Sequence, residues 1–316
     1  MRDRTVVLNG AKINYDGRMD YARIASEVVV YDDTPQELIL ERVRGFDVVV
    51  TKELPVSGEI IKQFPDSVRL ICEAGTGYNN IDLAAAREKG ITVCNIPAYS
   101  SQRVAQTAIM LMLNLSSAMQ LQLAMLARGD HSNFTKCLQV PHVELNGKTL
   151  GVIGAGNIGR EAIRIARALD MEVLVYTRTP REDSEGVRHT DLDTLLTQSD
   201  YVSLHCPLTP QTKHIIDAAA LQKMKPTAFL INTSRGALVD EAALIDALQN
   251  HLIAGAGLDV QETEPPAEDS PLYTLDNVIL TPHMGWKGLE TRQRLLSIIG
   301  ENIRAFAQGD PVNVVS

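Results

Sequence analysis

Apolar residues in the first hundred positions fall in short, β-branched runs: Thr5–Leu8, Val28–Tyr31, Val48–Thr51, Val68–Cys72 and Thr92–Asn95. Stretches with helical spacing separate them, so the pattern predicts strands alternating with helices. In "TPQELILERVRG" Thr34 is placed to cap the helix, Pro35 suits the first turn and Gly45 the exit. In "IDLAAAREKG" Asp82 is the candidate cap and Gly90 the stop. Alternation of this kind implies a parallel sheet covered on both faces. From Ser100 to about Leu123 the chain lacks Gly and Pro, which predicts one long helix, and a less regular stretch runs on to Asn146. The alternation restarts with "KTLGVIGAG" and continues through "EVLVYT", "YVSLHC", "AFLINTS", "GAGLDV" and "NVILTPH". The segment "GLETRQRLLSIIGENIRAFAQG" closes the chain as a helix, with Leu295, Leu296, Ile298, Ile299, Ile303 and Phe306 on its apolar positions. The reading is α/β throughout, in two units joined by helices.

Composition narrows the partners. The 316 residues suffice for two domains, and 45% apolar with 22% charged residues is ordinary for a soluble protein. The net charge of −9 comes without a basic run, so neither nucleic acid nor an anionic membrane is an expected partner. A small anion still is, where a few cations are gathered in one cleft. Cys72, Cys94, Cys137 and Cys206 are scattered, which suggests neither a metal site nor a disulfide framework but free thiols in a reducing compartment. The start "MRDRTVVLNG" lacks the apolar stretch of a signal peptide, and "AIMLMLNL" is too short to span a membrane. A cytoplasmic protein is expected.

Gly154-Ala155-Gly156-Asn157-Ile158-Gly159 satisfies G-x-G-x-x-G. The hexapeptide alone is weak, because a glycine-bearing turn needs no ligand. Here an apolar strand precedes it and "NIGREAIRIARALD" follows as a helix. Gly154 would make the turn, Gly156 would admit a pyrophosphate, and Gly159 would let helix and strand pack closely. At the end of the next strand, "VLVYTRTP" carries Thr177, Arg178 and Thr179 where an NAD site commonly has Asp or Glu. A carboxylate there repels a 2′-phosphate, whereas Thr177 can donate a hydrogen bond and Arg178, with Arg181, brings positive charge. Solvated surface arginines would look the same. The charge argument favours NADP over NAD, with NAD still open.

Three further stretches, "INTSRGALVDEAAL", "GLDVQETEPP" and "TPHMGW", end apolar runs in polar residues. Hydride transfer to a 2-oxo acid needs a cation for the carboxylate, a proton donor for the nascent alkoxide, and a carboxylate to keep an imidazole charged. Arg235, His283 and Glu264 are those three types. Singly, each has a structural reading as well: an ion-pair partner, a strand-end histidine, a turn acid.

With "GTGYNNID", "GKTLGVIGAGNIG", "HCPLTPQTKHIID", "INTSRGALVDEAAL", "LDVQETEPP" and "TPH" in order along nearly the whole chain, the sequence resembles the D-isomer-specific 2-hydroxyacid dehydrogenases. That resemblance implies a Rossmann-type dinucleotide-binding domain, residues 101–289, inserted in a smaller flavodoxin-like substrate domain, residues 1–100 with 290–316, and a homodimer. It implies that Arg235 binds substrate, that His283 is the acid/base and that Glu264, which precedes Pro265, is its partner rather than Glu262. Thr76 and Gly77 would complete the carboxylate site. Cofactor contacts would come from Val104, Gly154, Gly156, Asn157, Ile158, Gly159, Thr177, Arg178, Thr179, Cys206, Pro207, Thr212, Thr233, Asp259 and His283, with Asp259 on the nicotinamide carboxamide. Trp286 resembles the H-x-x-W of hydroxypyruvate and glycerate dehydrogenase relatives, although it could equally pack a contact. The expected activity is reduction of glyoxylate or hydroxypyruvate to the D-2-hydroxy acid with NADPH. An NAD-dependent D-lactate, glycerate or phosphoglycerate dehydrogenase is the alternative, and a nucleotide-sensing corepressor-like protein is less favoured. The chain's end at Ser316 leaves no room for a regulatory domain, so feedback by an amino acid is not expected.

Overall fold

A computed structural model describes residues 4–179 and 182–316. They form two compact units, Met1–Tyr99 with Lys287–Ser316, and Ser100–Trp286.

The first unit is built on five parallel strands: β1 (Arg4–Val7), β2 (Glu27–Val30), β3 (Val48–Thr51), β4 (Leu70–Glu73) and β5 (Thr92–Cys94). Their order is β2-β1-β3-β4-β5, the flavodoxin-like arrangement. Strands β3 and β4 lie inside the sheet and every residue of both is buried, which is why they read as unbroken apolar runs. Strand β2 is at the edge and mostly exposed. The helical stretch at 34–45 is shorter than its periodicity suggests, a 3-10 turn at Gln36–Leu38 followed by Ile39–Arg42. Thr34 does not cap it: its hydroxyl donates to the Leu8 carbonyl and accepts from Arg42 Nη1. Asp82 does cap Leu83–Glu88, accepting from the Ala85 amide at 3.0 Å, and Gly90 takes the left-handed exit at φ 72°. The strand expected from Val68 begins at Leu70, since the Val68 amide closes a turn on the Pro65 carbonyl.

The last helix, Leu289–Ala307, belongs to this unit and buries Leu295, Leu296, Ile299 and Ile303. Buried Arg292 fixes it, donating to both carboxylate oxygens of Asp16 at 2.8 and 2.6 Å and to the Ile13 carbonyl. That guanidinium holds the Asp16 carboxyl down at about 2. Buried Asn302 adds a bond to the Asn95 carbonyl at 3.0 Å.

The second unit carries seven parallel strands: β6 (Thr149–Ile153), β7 (Glu172–Tyr176), β8 (Val187–His189), β9 (Tyr201–Leu204), β10 (Phe229–Asn232), β11 (Gly255–Leu258) and β12 (Val278–Leu280). The order β12-β11-β10-β9-β6-β7-β8 reverses direction between β6 and β9. This is the Rossmann topology, and open α/β sheets bind ligands at the carboxyl ends of the strands where the order reverses. Short β8 is a half-exposed edge strand without an apolar run to announce it. Asp191, Asp217 and Asp240 each cap a helix through the side chain. The single helix expected over 100–123 is in fact two, Ser101–Ser116 and Met119–Ala127, bent by 63°. Ala118 stands between them at φ 44°, and the Ser116 hydroxyl donates back to the Leu113 carbonyl. Serine side chains that bond their own backbone compete with the helix ladder, and no Gly or Pro was present to mark the break. Among the described residues no single helix is long and apolar enough to cross a membrane.

Candidate active site

The glycine loop joins β6 to the helix Asn157–Ala168 at the point of reversal. Gly154 has φ 100°, and a Cβ there would sit 2.6 Å from the Cys206 amide nitrogen. A Cβ on Gly159 would overlap the Gly154 carbonyl oxygen, so this glycine is needed for helix and strand to meet. Gly156 is different: a Cβ there meets nothing within 4 Å. Packing does not require Gly156, and the open space above it at a helix N-terminus suits a pyrophosphate. Asn157 accepts from Arg160 and Ile158 is half-buried. At the carboxyl end of β10 the buried Thr233 hydroxyl has no hydrogen-bond partner among the described residues, a second group on the same sheet edge able to meet a ligand. The Thr212 hydroxyl donates to the Pro207 carbonyl at 2.7 Å and closes the loop after β9. Cys206 is half-buried, and burial pushes its thiol up to about 11, which makes it a packing group rather than a nucleophile. The donor set fits a dinucleotide.

At the end of β7, the Thr177 hydroxyl donates to the Thr179 carbonyl at 2.8 Å, and Arg178 and Thr179 are exposed. Arg181 lies outside the described residues.

The candidate proton-transfer pair stands on neighbouring strand ends. His283 Nδ1 and Glu264 Oε2 are 2.8 Å apart, which leaves Nε2 of the ring for another partner. Glu264 Oε1 accepts from the Gln261 amide at 3.2 Å. His283 is held at φ 48° in a left-handed conformation, and the residue that imposes it is Asp259. Only 2% exposed, Asp259 accepts from the Thr281 hydroxyl at 2.5 Å and from the Met284 and Gly285 amides at 2.9 and 2.8 Å. Its carbonyl also takes the His283 amide at 2.9 Å. Asp259 thus organises the whole 281–285 loop, a role its motif did not reveal. Val104 packs here as well, 3.5 Å from where a Cβ on Gly285 would lie. Arg235 follows β10, half-buried, with Nη1 on the Ser234 carbonyl at 2.8 Å. Asn232 shapes that turn, donating to the Arg235 carbonyl and accepting from the Ser234 amide. A guanidinium able to grip a carboxylate and an imidazole–carboxylate pair able to move a proton therefore share one sheet edge.

The profile of the "D-isomer specific 2-hydroxyacid dehydrogenase, NAD binding domain" matches residues 109–285. The chain belongs to the D-isomer-specific 2-hydroxyacid dehydrogenases. It is 39% identical to a hydroxypyruvate reductase of Blautia hydrogenotrophica, over 99% of both chains. A glyoxylate reductase structure from Paecilomyes thermophila superposes with a TM-score of 0.85 at 30% identity, covering 100% of this chain and 99% of the other. An acyclic imino acid reductase in complex with NADPH and D-arginine gives the same score at 29% identity, covering 99% and 100%.

As a D-2-hydroxyacid dehydrogenase, an oxidoreductase acting on CH–OH donors with a nicotinamide cofactor, the chain has further residues worth placing. In the first unit, Thr76 and Gly77 form the loop after β4; the Thr76 hydroxyl donates to the Ile96 carbonyl and its own carbonyl accepts from Asn95. Trp286 is buried. Two residues escaped sequence reasoning altogether. Buried His205 sits under the glycine loop with Nε2 2.9 Å from the Ser203 hydroxyl, and burial lowers its pKa to about 4. Gly236 lies so close to the Gln261–Glu262 backbone that any Cβ would overlap it. Both stand in motifs quoted for other residues, "YVSLHC" and "INTSRG", and only packing shows what they do.

Proposed function

We propose that this enzyme reduces a small 2-oxo acid of the glyoxylate or hydroxypyruvate type to the D-2-hydroxy acid, with NADPH preferred over NADH. The observation that carries the proposal is the His283–Glu264 pair on the strand-end edge that also bears Arg235. When bound at the glycine loop, a reduced nicotinamide would supply the hydride for the carbonyl carbon. Arg235 binds the substrate carboxylate and polarises the carbonyl. His283 delivers a proton from Nε2 to the carbonyl oxygen, and Glu264 orients the ring through Nδ1. Trp286 contributes to the substrate pocket. Thr76 and Gly77 make the smaller unit substrate-binding, and the larger unit holds the cofactor as well as Arg235, Glu264 and His283. Preference for NADPH rests on Thr177 and Arg178 in place of an acidic residue, and the NADPH named for the imino acid reductase structure accords with it. Names of the relatives, hydroxypyruvate and glyoxylate reductase, support the substrate class. Four free thiols suit a cytoplasmic location, and exposed apolar side chains on the second unit suit a homodimer.

The test is steady-state oxidation of NADPH and NADH with glyoxylate, hydroxypyruvate and pyruvate, for the wild type and His283→Ala. Turnover should fall by roughly 100-fold or more in the variant, the scale of a lost general acid, with cofactor binding near normal. A fully active variant, or a wild type inert towards all three acids, overturns the proposal.

A further inference from the structure

We infer that His214 is a positioning residue that holds the Glu264 carboxylate and the Arg235 guanidinium in one register; this rests on the roles proposed above for those two side chains. The loop 261–264 must keep Glu264 within hydrogen-bond reach of His283, and it contains a second carboxylate, Glu262, two residues earlier. Glu262 Oε1 lies 2.9 Å from His214 Nε2, so the site has two imidazole–carboxylate pairs rather than one. His214 is also tied to the turn that follows Arg235, since its amide donates to the Ala237 carbonyl at 2.9 Å. One residue therefore grips the Arg235 turn by its backbone and the Glu264 loop by its side chain.

Two further contacts hold the same junction. Gly236, next to Arg235, has its Cα against the Gln261–Glu262 backbone, with no room for a side chain. Glu241, one residue past the Asp240 helix cap, accepts from the Glu262 amide at 3.0 Å. His214 itself is held at φ 52°, a left-handed conformation that costs a non-glycine residue. His214 and Glu262 are each about one-third exposed, 33% and 34%. A pair that open adds little to global stability, so its effect belongs in turnover and not in melting.

The experiment compares His214→Ala, His214→Gln, Glu262→Ala and the double variant His214→Ala/Glu262→Ala in the oxo-acid assay. Misplacing a reacting group should lower kcat on the order of 10-fold in His214→Ala, with the cofactor KM and the melting temperature unchanged. His214→Gln, which keeps a donor for Glu262, should recover most of the loss, and the double variant should be no worse than either single one. A second readout needs no substrate: in 15N-histidine-labelled enzyme the His283 Nδ1 proton signal should shift in His214→Ala and return in His214→Gln. Wild-type turnover in His214→Ala, losses that add in the double variant, or an unmoved His283 signal would each overturn the inference. A wild type without oxo-acid reductase activity would instead sink the proposed function, and the nuclear resonance comparison would still decide on His214.

Discussion

Glu262 and Glu264 are the same residue type two positions apart, and each has its own histidine partner. The family resemblance pointed to Glu264, next to Pro265, as the partner of His283, yet nothing in the spacing tells that Glu262 pairs with His214, 48 residues earlier in the chain. Asp259 was expected on the nicotinamide from the resemblance, while its three side-chain bonds to the 281–285 loop depend on packing that a linear pattern does not carry. His205 was invisible for the same reason. Its burial has a consequence at acidic pH. The folded pKa is about 4 against an ordinary 6.5, so between those values the unfolded chain binds more protons. The neutral ring's contribution is complete above pH 6.5 and is lost as pH falls towards 4. Taking the wild type from pH 7 to pH 5 should therefore cost about 2 kcal/mol more than it costs a His205→Gln variant. Urea unfolding of both proteins at the two pH values measures it; parallel losses would show that His205 does not titrate across folding.

Strand positions were read to within a residue or two wherever both faces are buried, because a continuous apolar run has one explanation there. Edge elements and helix breaks were not: β8 has no apolar run, and the bend at Ser116–Ala118 is made by serine back-bonding and one left-handed alanine. The cofactor loop sits between these cases. Three glycines were assigned three duties from the motif alone, and the structure separates them physically. A Cβ on Gly159 overlaps backbone, whereas Gly156 looks onto open space at φ −72°, a value any residue adopts. Gly156→Ala should thus leave the melting temperature unchanged and weaken NADPH binding by about 10-fold or more, through a methyl group placed where the pyrophosphate approaches. Gly159→Ala should instead lower stability by about 1–3 kcal/mol, the usual range for overpacking. Thermal melts and fluorescence titration distinguish the two, and equal effects on both variants would contradict the division of roles.

At the scale of the molecule, the sequence pattern announced two α/β units but not how the chain shares them out. That the last helix belongs with the first unit is a matter of long-range pairs, Arg292 with Asp16 and Asn302 with Asn95, which periodicity cannot report. The second unit has the opposite feature, apolar residues without a partner. Helix Met119–Ala127 buries none of its residues fully, and Leu123 is 59% and Phe134 78% exposed. Leu113, Met119, Leu126, Leu138 and Val143 continue the exposed apolar series. Isolated apolar residues on a surface are ordinary, but a succession over some thirty positions of one chain segment calls for a covering partner. A second copy of the same chain is the partner we propose, and the interface would then carry the segment that the first helix leaves after its bend. Leu123→Asp with Phe134→Asp should convert the dimer to a monomer in sedimentation equilibrium, because two buried charges without partners cost more than the pairing of small patches recovers. The substitutions lie outside the sheet, so far-ultraviolet dichroism of the variant should match the wild type. A wild type that sediments as a monomer at micromolar concentration, or a double variant that still dimerises, would remove this face as the interface.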